Sequence, residues 1–150
     1  MSCHLSTRAC FALLIAALPL LATADTSMPV TATKSKTVIT ELLKTTKSWD
    51  GVEYRAYPNG QPEVSVMRYT IAPHSALPWH LHRVVNAAYV LSGHLTVERK
   101  SDGKSLVIGP GDVLPEMVDA AHRGVTGDES AELIVFYAGT PGVPLVVKVE

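Results

Sequence analysis

Residues 78–93 read PWHLHRVVNAAYVLSG. His80 and His82 stand one residue apart in a stretch that is otherwise apolar and rich in β-formers. Along a strand, residues i and i+2 project from the same face, so a strand here sets two imidazoles side by side. An outward polar face would also accept such a pair, and spacing alone leaves both readings open. If the face is the inside of a small barrel, the imidazoles converge on one point. A third ligand from another strand then completes a set with open positions, which suits zinc, iron, copper, nickel or manganese. His122, in the short strand-like stretch AAHRGV, is the natural third member.

Outward from this stretch, the pattern is strands and turns. Thr37–Lys44 is ambiguous between strand and helix, and Trp49–Tyr57 alternates behind a DG turn. In Glu63–Ala72 the alternation is clearest. Val64, Val66, Arg68 and Thr70 share one face, and Ser65, Met67, Tyr69 and Ile71 the other. His80–Ser92 and His94–Lys100 are two arms broken at Gly93, and Ser101–Lys104 (SDGK) is a hairpin signal. SLVIG, DVLPE, AHRGV and AELIVFYAG are four more short strands, and PGVPLVVKV closes the chain. No ten-residue helix is expected after the N-terminal segment. Short strands at regular spacing point to one all-β domain, an antiparallel sandwich or barrel.

The first residues read differently. Arg8 precedes an apolar run, Phe11–Ala22, and Ala22-Thr23-Ala24 is a small-x-small site before Asp25. These are the parts of a cleavable secretory signal peptide. The run is too short for a membrane span, which needs about 20 apolar residues. Residues 1–24 are thus expected to be removed, 25–36 to form a flexible lead, and 37–150 to fold, in a secreted or periplasmic protein. Both cysteines, Cys3 and Cys10, would leave with the signal. The remaining chain then has no disulfide, thiolate nucleophile or cysteine ligand. Thirteen basic residues against fourteen acidic ones give the whole chain a net charge of −1. With no basic excess to neutralise phosphates, no nucleic-acid partner is expected.

The stretch around His80 resembles the first motif of the cupin superfamily, G-x5-H-x-H-x3,4-E-x6-G. His80, His82 and Gly93 fall in register, while His74 replaces the opening glycine and Asn86 the glutamate. Residues 111–126 resemble the second motif, G-x5-P-x-G-x2-H-x3-N. Gly111 and His122 match there, and Met117, Asp119 and Thr126 replace the proline, inner glycine and asparagine. The resemblance covers Pro73–Thr126. It implies an antiparallel double-stranded β-helix, a jelly-roll-like barrel, holding one divalent transition metal on His80, His82 and His122.

In that family the motif glutamate is usually a fourth ligand. An amide at Asn86 offers only a neutral oxygen, so it either ligates weakly or orients His82 from behind. Glu116 is a candidate for the missing carboxylate or a general base, against an outward solvated acid. Trp79, Arg68 and Tyr89 are pocket candidates, with Tyr57 and Arg123 behind them. His74 is placed at the barrel rim and His94 on the surface. The resemblance implies a small-molecule enzyme, dioxygenase-like or isomerase-like. The alternative is a non-catalytic module that binds a metal or small ligand. Thr37–Trp49 is expected to add to a partner's sheet edge in a homodimer.

Overall fold

The computed structural model describes residues 36–150, and the compact unit is Ile39–Glu150. The signal-peptide and lead segments, residues 1–24 and most of 25–36, lie outside the described residues. Nine strands are described: β1 (Glu63–Ile71), β2 (His80–Leu81), β3 (Val85–Ser92), β4 (Leu95–Arg99), β5 (Ser105–Ile108), β6 (Val113–Pro115), β7 (His122–Val125), β8 (Ala131–Gly139) and β9 (Val147–Lys148). They form two antiparallel sheets, β1-β8-β3-β6 and β5-β4-β7-β2-β9. The fold is all-β, and among the described residues no helix is long and apolar enough to cross a membrane.

The alternation in β1 and β8 sets the inside. Ile71 on β1 and Ala131, Leu133, Val135 and Tyr137 on β8 are buried, while Val64 and Val66 face out. Between the sheets they meet Val84, Ala88 and Val90 from one side and Leu95, Val97 and Ile108 from the other. An apolar face on each sheet must be covered, and stacking the two is the simplest solution.

The stretch His80–Ser92 is not one strand. It breaks after Leu81, so that β2 lies in the five-stranded sheet and β3 in the four-stranded one. Buried His82 and Val84 occupy the crossing, with His82 bridged to Val118. The chain must leave one sheet for the other here to close the barrel, and local β propensity carries no sign of that. Thr37–Lys44 forms no regular element. Val38, Ile39 and Leu42 are exposed there, and no strand among the described residues pairs with them.

Gly93 ends β3 with φ 70 and ties tightly against β8. A Cβ at this position would stand 1.9 Å from the Ser130 carbonyl oxygen. The two non-glycine residues with positive φ are His74 (φ 52) and Asp119 (φ 58). Both stand where the cupin motifs carry glycine, so the backbone bend remains although the residue that favours it is gone. Thr126, at the motif asparagine, is buried and ties the loop after β1. Its hydroxyl donates to Ala72 O at 2.6 Å and accepts from Ser75 N at 3.0 Å.

Candidate metal centre

Strand register brings the three histidines together. His80 on β2 pairs across the ladder with His122 on β7, and His82 follows on the same face as His80. Ring centroids lie 4.6 Å apart for His80–His122, 5.0 Å for His82–His122 and 5.1 Å for His80–His82. One ligand nitrogen from each falls within 4.8 Å of the others. His82 and His122 are buried and His80 is half-buried.

The backbone fixes which nitrogen faces the centre. His80 Nδ1 bonds Pro78 O at 2.8 Å, His82 Nδ1 bonds Leu145 O at 2.8 Å, and His122 Nδ1 bonds Ala120 O at 2.9 Å. A carbonyl only accepts, so each Nδ1 carries the proton and each Nε2 presents a lone pair. Burial pulls His80 and His82 below the usual imidazole range, which keeps them neutral. Burial also opposes charge on His122, but the Glu116 carboxylate outweighs it and raises that imidazole.

Glu116 points inward. Its side chain is only 12% exposed, and Oε2 lies 3.1 Å from His122 Nε2. The solvated alternative is therefore excluded, and the reason lies in register. With Ala87 opposite Pro115 on the β3–β6 ladder, Glu116 stands directly across from Asn86 and donates its backbone N–H to Asn86 O at 3.1 Å. The carboxylate that the motif places at position 86 is thus present one strand over. Burial resists its ionisation, but the imidazoles, His122 foremost, hold its carboxyl below the usual range.

Three buried polar atoms here have no hydrogen-bond partner: Asn86 Oδ1, Glu116 Oε2 and His122 Nε2. All three are acceptors when His122 carries its proton on Nδ1. Buried acceptors left unpaired are costly, about 1–3 kcal/mol each, and a cation beside His122 would relieve its Nε2 and the neighbouring Glu116 Oε2. Glu116 Oε2 and His122 Nε2 lie 3.1 Å apart without an aligned hydrogen bond, close enough for both to face one ion. The donor set, three imidazoles with a carboxylate alongside, suits a first-row divalent transition metal. Glu116 itself lies outside the three-histidine group whose ligand atoms share the 4.8 Å limit. Asn86 donates Nδ2–H to Val84 O at 3.1 Å, which orients its Oδ1.

A cavity of about 170 Å³ opens beside the cluster. His80, His82 and Glu116 line it together with Tyr69, Tyr137 and Lys148. The aromatic and basic residues expected at this pocket lie elsewhere. Arg68 is exposed on the outer face of β1 and pairs with Glu132 at 2.7 Å. Trp79 lies under Arg123, whose guanidinium carbon is 4.4 Å from the ring centroid. Tyr89 is on the face of β3 opposite buried Asn86, Ala88 and Val90. Each is one residue out of phase with the inward face, or beyond the strand that would aim it. Tyr57 lines a separate surface groove. His74 and His94 are exposed, beside Asp128 and Glu129. Sequence reasoning missed Tyr137 and Lys148. Tyr69 was legible as sharing the face of Ile71.

Residues 67–137 match the model of the cupin domain family. Over these residues the chain is a cupin domain. Solved structures agree with this cupin's architecture. The polyketide cyclase RemF from Streptomyces resistomycificus is 22% identical with a TM-score of 0.51, over 61% of this chain and 63% of that one. The DMSP lyase DddQ from Ruegeria pomeroyi is 17% identical with a TM-score of 0.52, over 57% and 43%. A cupin-like protein from Thermotoga maritima is 13% identical with a TM-score of 0.50, over 57% and 64%. The matches thus cover less than two thirds of each of these chains. At such identities the likeness establishes the fold. Comparison with curated protein sequences returns no match.

Proposed function

We propose that this cupin is a secreted, metal-dependent enzyme acting on a small molecule in the cavity beside His80, His82 and His122. The observation that carries the reading is the convergence of the three imidazoles, with Glu116 Oε2 3.1 Å from His122 Nε2 and both atoms buried without a hydrogen-bond partner. His80, His82 and His122 would hold one divalent transition ion, with Glu116 as the neighbouring carboxylate and Asn86 Oδ1 turned to the same centre. An ion held there supplies Lewis-acid polarisation of a bound oxygen. Three histidines and an amide leave a divalent site at +2, and Glu116 reduces that to +1, as a glutamate at 86 would have done. Oxidoreductase and isomerase or lyase chemistry both fit this frame, and iron, manganese, zinc, nickel and copper all fit the donors. The signal-like segment before Asp25 is the support for secretion. The exposed apolar residues of the N-terminal arm, Val38, Ile39 and Leu42, support a homodimer as part of this reading.

The test is elemental analysis of purified protein beside His80→Ala, His122→Ala and Glu116→Gln. Near-stoichiometric metal lost in both histidine variants, and weakened in Glu116→Gln, is the expected result. Metal content indifferent to both histidines would refute the reading. Bound metal with no turnover across oxidase, isomerase and hydrolase substrates would make the chain a binding module instead.

A further inference from the structure

The cavity beside the histidines has an unusual polar inventory. Its walls are apolar, with Ile71, Leu77, Leu95, Leu114, Leu133 and Val135 among them. Two features interrupt them besides the histidines and Glu116.

The first is a pair of tyrosines. Tyr69 Oη and Tyr137 Oη are 3.0 Å apart, and neither has another hydrogen bond among the described residues. They come from adjacent strands, β1 and β8, and Tyr137 is buried with its ring 5.7 Å from that of His82. Two hydroxyls bring two protons, and the bond between them uses one. The second proton has no acceptor among the described residues. Burial and then the Tyr69 contact push the Tyr137 hydroxyl far above the ordinary phenol range, so it stays protonated at neutral pH.

The second feature is Lys148. Its ladder partner is His80, and side chains of an antiparallel pair share a face. Lys148 therefore reaches the cavity side of β9, where it is exposed and makes no ion pair among the described residues. The cavity thus offers a cation and a spare hydroxyl proton, separated by apolar wall. Glu116 is its only carboxylate, and that group is turned to His122.

We infer that the cavity selects a short-chain oxo or hydroxy carboxylic acid. The carboxylate sits on the Lys148 side, an aliphatic body lies along the leucines, and a second oxygen accepts from the Tyr69–Tyr137 pair. An apolar cavity of about 150 Å³ holds benzene. A space of about 170 Å³ that opens to solvent therefore takes a ligand of roughly six to ten non-hydrogen atoms. With the histidines and Glu116 engaged by an ion, a cationic ligand finds no carboxylate left to pair with and meets the like charge of Lys148. This choice of substrate class rests on the proposed use of the cavity as the reaction site, but the two fail separately.

Calorimetric titration of the full chain with levulinate, pentanoate, pentanamide and pentylamine tests it, with metal content and thermal melting followed in parallel. Levulinate is expected to bind best and pentanoate next, with the amide at least about tenfold weaker than pentanoate and the amine absent. Lys148→Met should weaken both acids about tenfold without altering metal content. The Tyr69→Phe/Tyr137→Phe double variant should lower levulinate to the pentanoate level and leave pentanoate unchanged. A folding defect would instead weaken both acids together and lower the melting temperature. Tyr69→Phe alone, which keeps one hydroxyl, then serves as the milder variant and should still narrow the gap between the two acids. No binding of either acid, equal binding of amide and acid, or indifference to Lys148→Met overturns the inference. Repeating the titration after chelation keeps the readings apart. Selectivity through Lys148 and the tyrosines in a chain that never held metal would sink the metal proposal and leave this one standing. Bound metal with no such selectivity would do the reverse.

Discussion

Gly93→Ala and Gly103→Ala form a matched pair of perturbations. The two glycines have the same backbone, φ 70 and φ 71, but different surroundings. Around Gly103 nothing lies within 4 Å of an added Cβ. Alanine there meets only the left-handed conformational cost, about 1–2 kcal/mol, offset by about 0.4–1 kcal/mol from a less flexible unfolded chain. A net loss of roughly 0.5–1 kcal/mol is expected. At Gly93 the same methyl would lie 1.9 Å from Ser130 O, 2.9 Å from Ser130 C and 3.0 Å from Ala131 Cα. All three are backbone atoms and cannot swing aside. Ala131 is fully buried and begins β8, where it pairs with Ile71. The β8 entry must retreat by roughly an ångström, an overpacking cost of about 1–3 kcal/mol. Gly93→Ala should therefore lose about 2–4 kcal/mol in all, a fall in melting temperature of roughly 10 °C for a domain of this size. Urea unfolding gives both values, provided the m-values agree so that the unfolded states are comparable. Equal losses in the two variants would refute the reasoning, because they would show that the close approach of β3 to β8 constrains nothing.

Chelation should lower the melting temperature and reloading should restore it. An ion at a hundredfold excess over its Kd contributes about 2.7 kcal/mol, and His122→Ala should abolish the difference. Alkaline stability should depend on Tyr54, whose hydroxyl donates to Glu116 O at 2.7 Å. Burial, then the Glu116 charge, pushes this phenol up to about 12. A folded pKa above the unfolded one gives stability that is complete below the unfolded value of about 10 and lost as pH rises toward 12. Denaturation of Tyr54→Phe across this range should show a flatter alkaline limb and about 1 kcal/mol less stability at pH 8. His74→Gly relieves φ 52 at an exposed side chain and should be neutral to stabilising, by up to about 1 kcal/mol. A loss greater than that in thermal melts would mean that the imidazole holds the loop.

The three histidines were legible because their spacing matches two properties of strands, same-face alternation at His80 and His82 and motif register at His122. The inward face of β1 was equally plain, and Tyr69 and Ile71 both belong to it. Glu116 was harder. It lies just past the three-residue strand β6, too short for alternation to establish a face, and its position depends on pairing with Asn86, distant in the chain. The break after Leu81 was invisible because His80–Ser92 is β-forming throughout, and closure of the barrel, not local propensity, divides it. Trp79, Arg68 and Tyr89 carry attractive chemistry, but sheet geometry turns them away from the cavity. Lys148 and Tyr137 gave no local signal. Each reaches the cavity through its ladder neighbours.

The exchange of Asn86 for an acid directly across the β3–β6 ladder bears on how such chains are sorted. A test that demands a glutamate at the motif position would file this chain among lapsed relatives. Counting negative charge by ladder rung, with a strand and its neighbour treated as one address, would keep it among chains that carry an acid beside the three histidines. Where two strands face the same cavity, either can carry the acid.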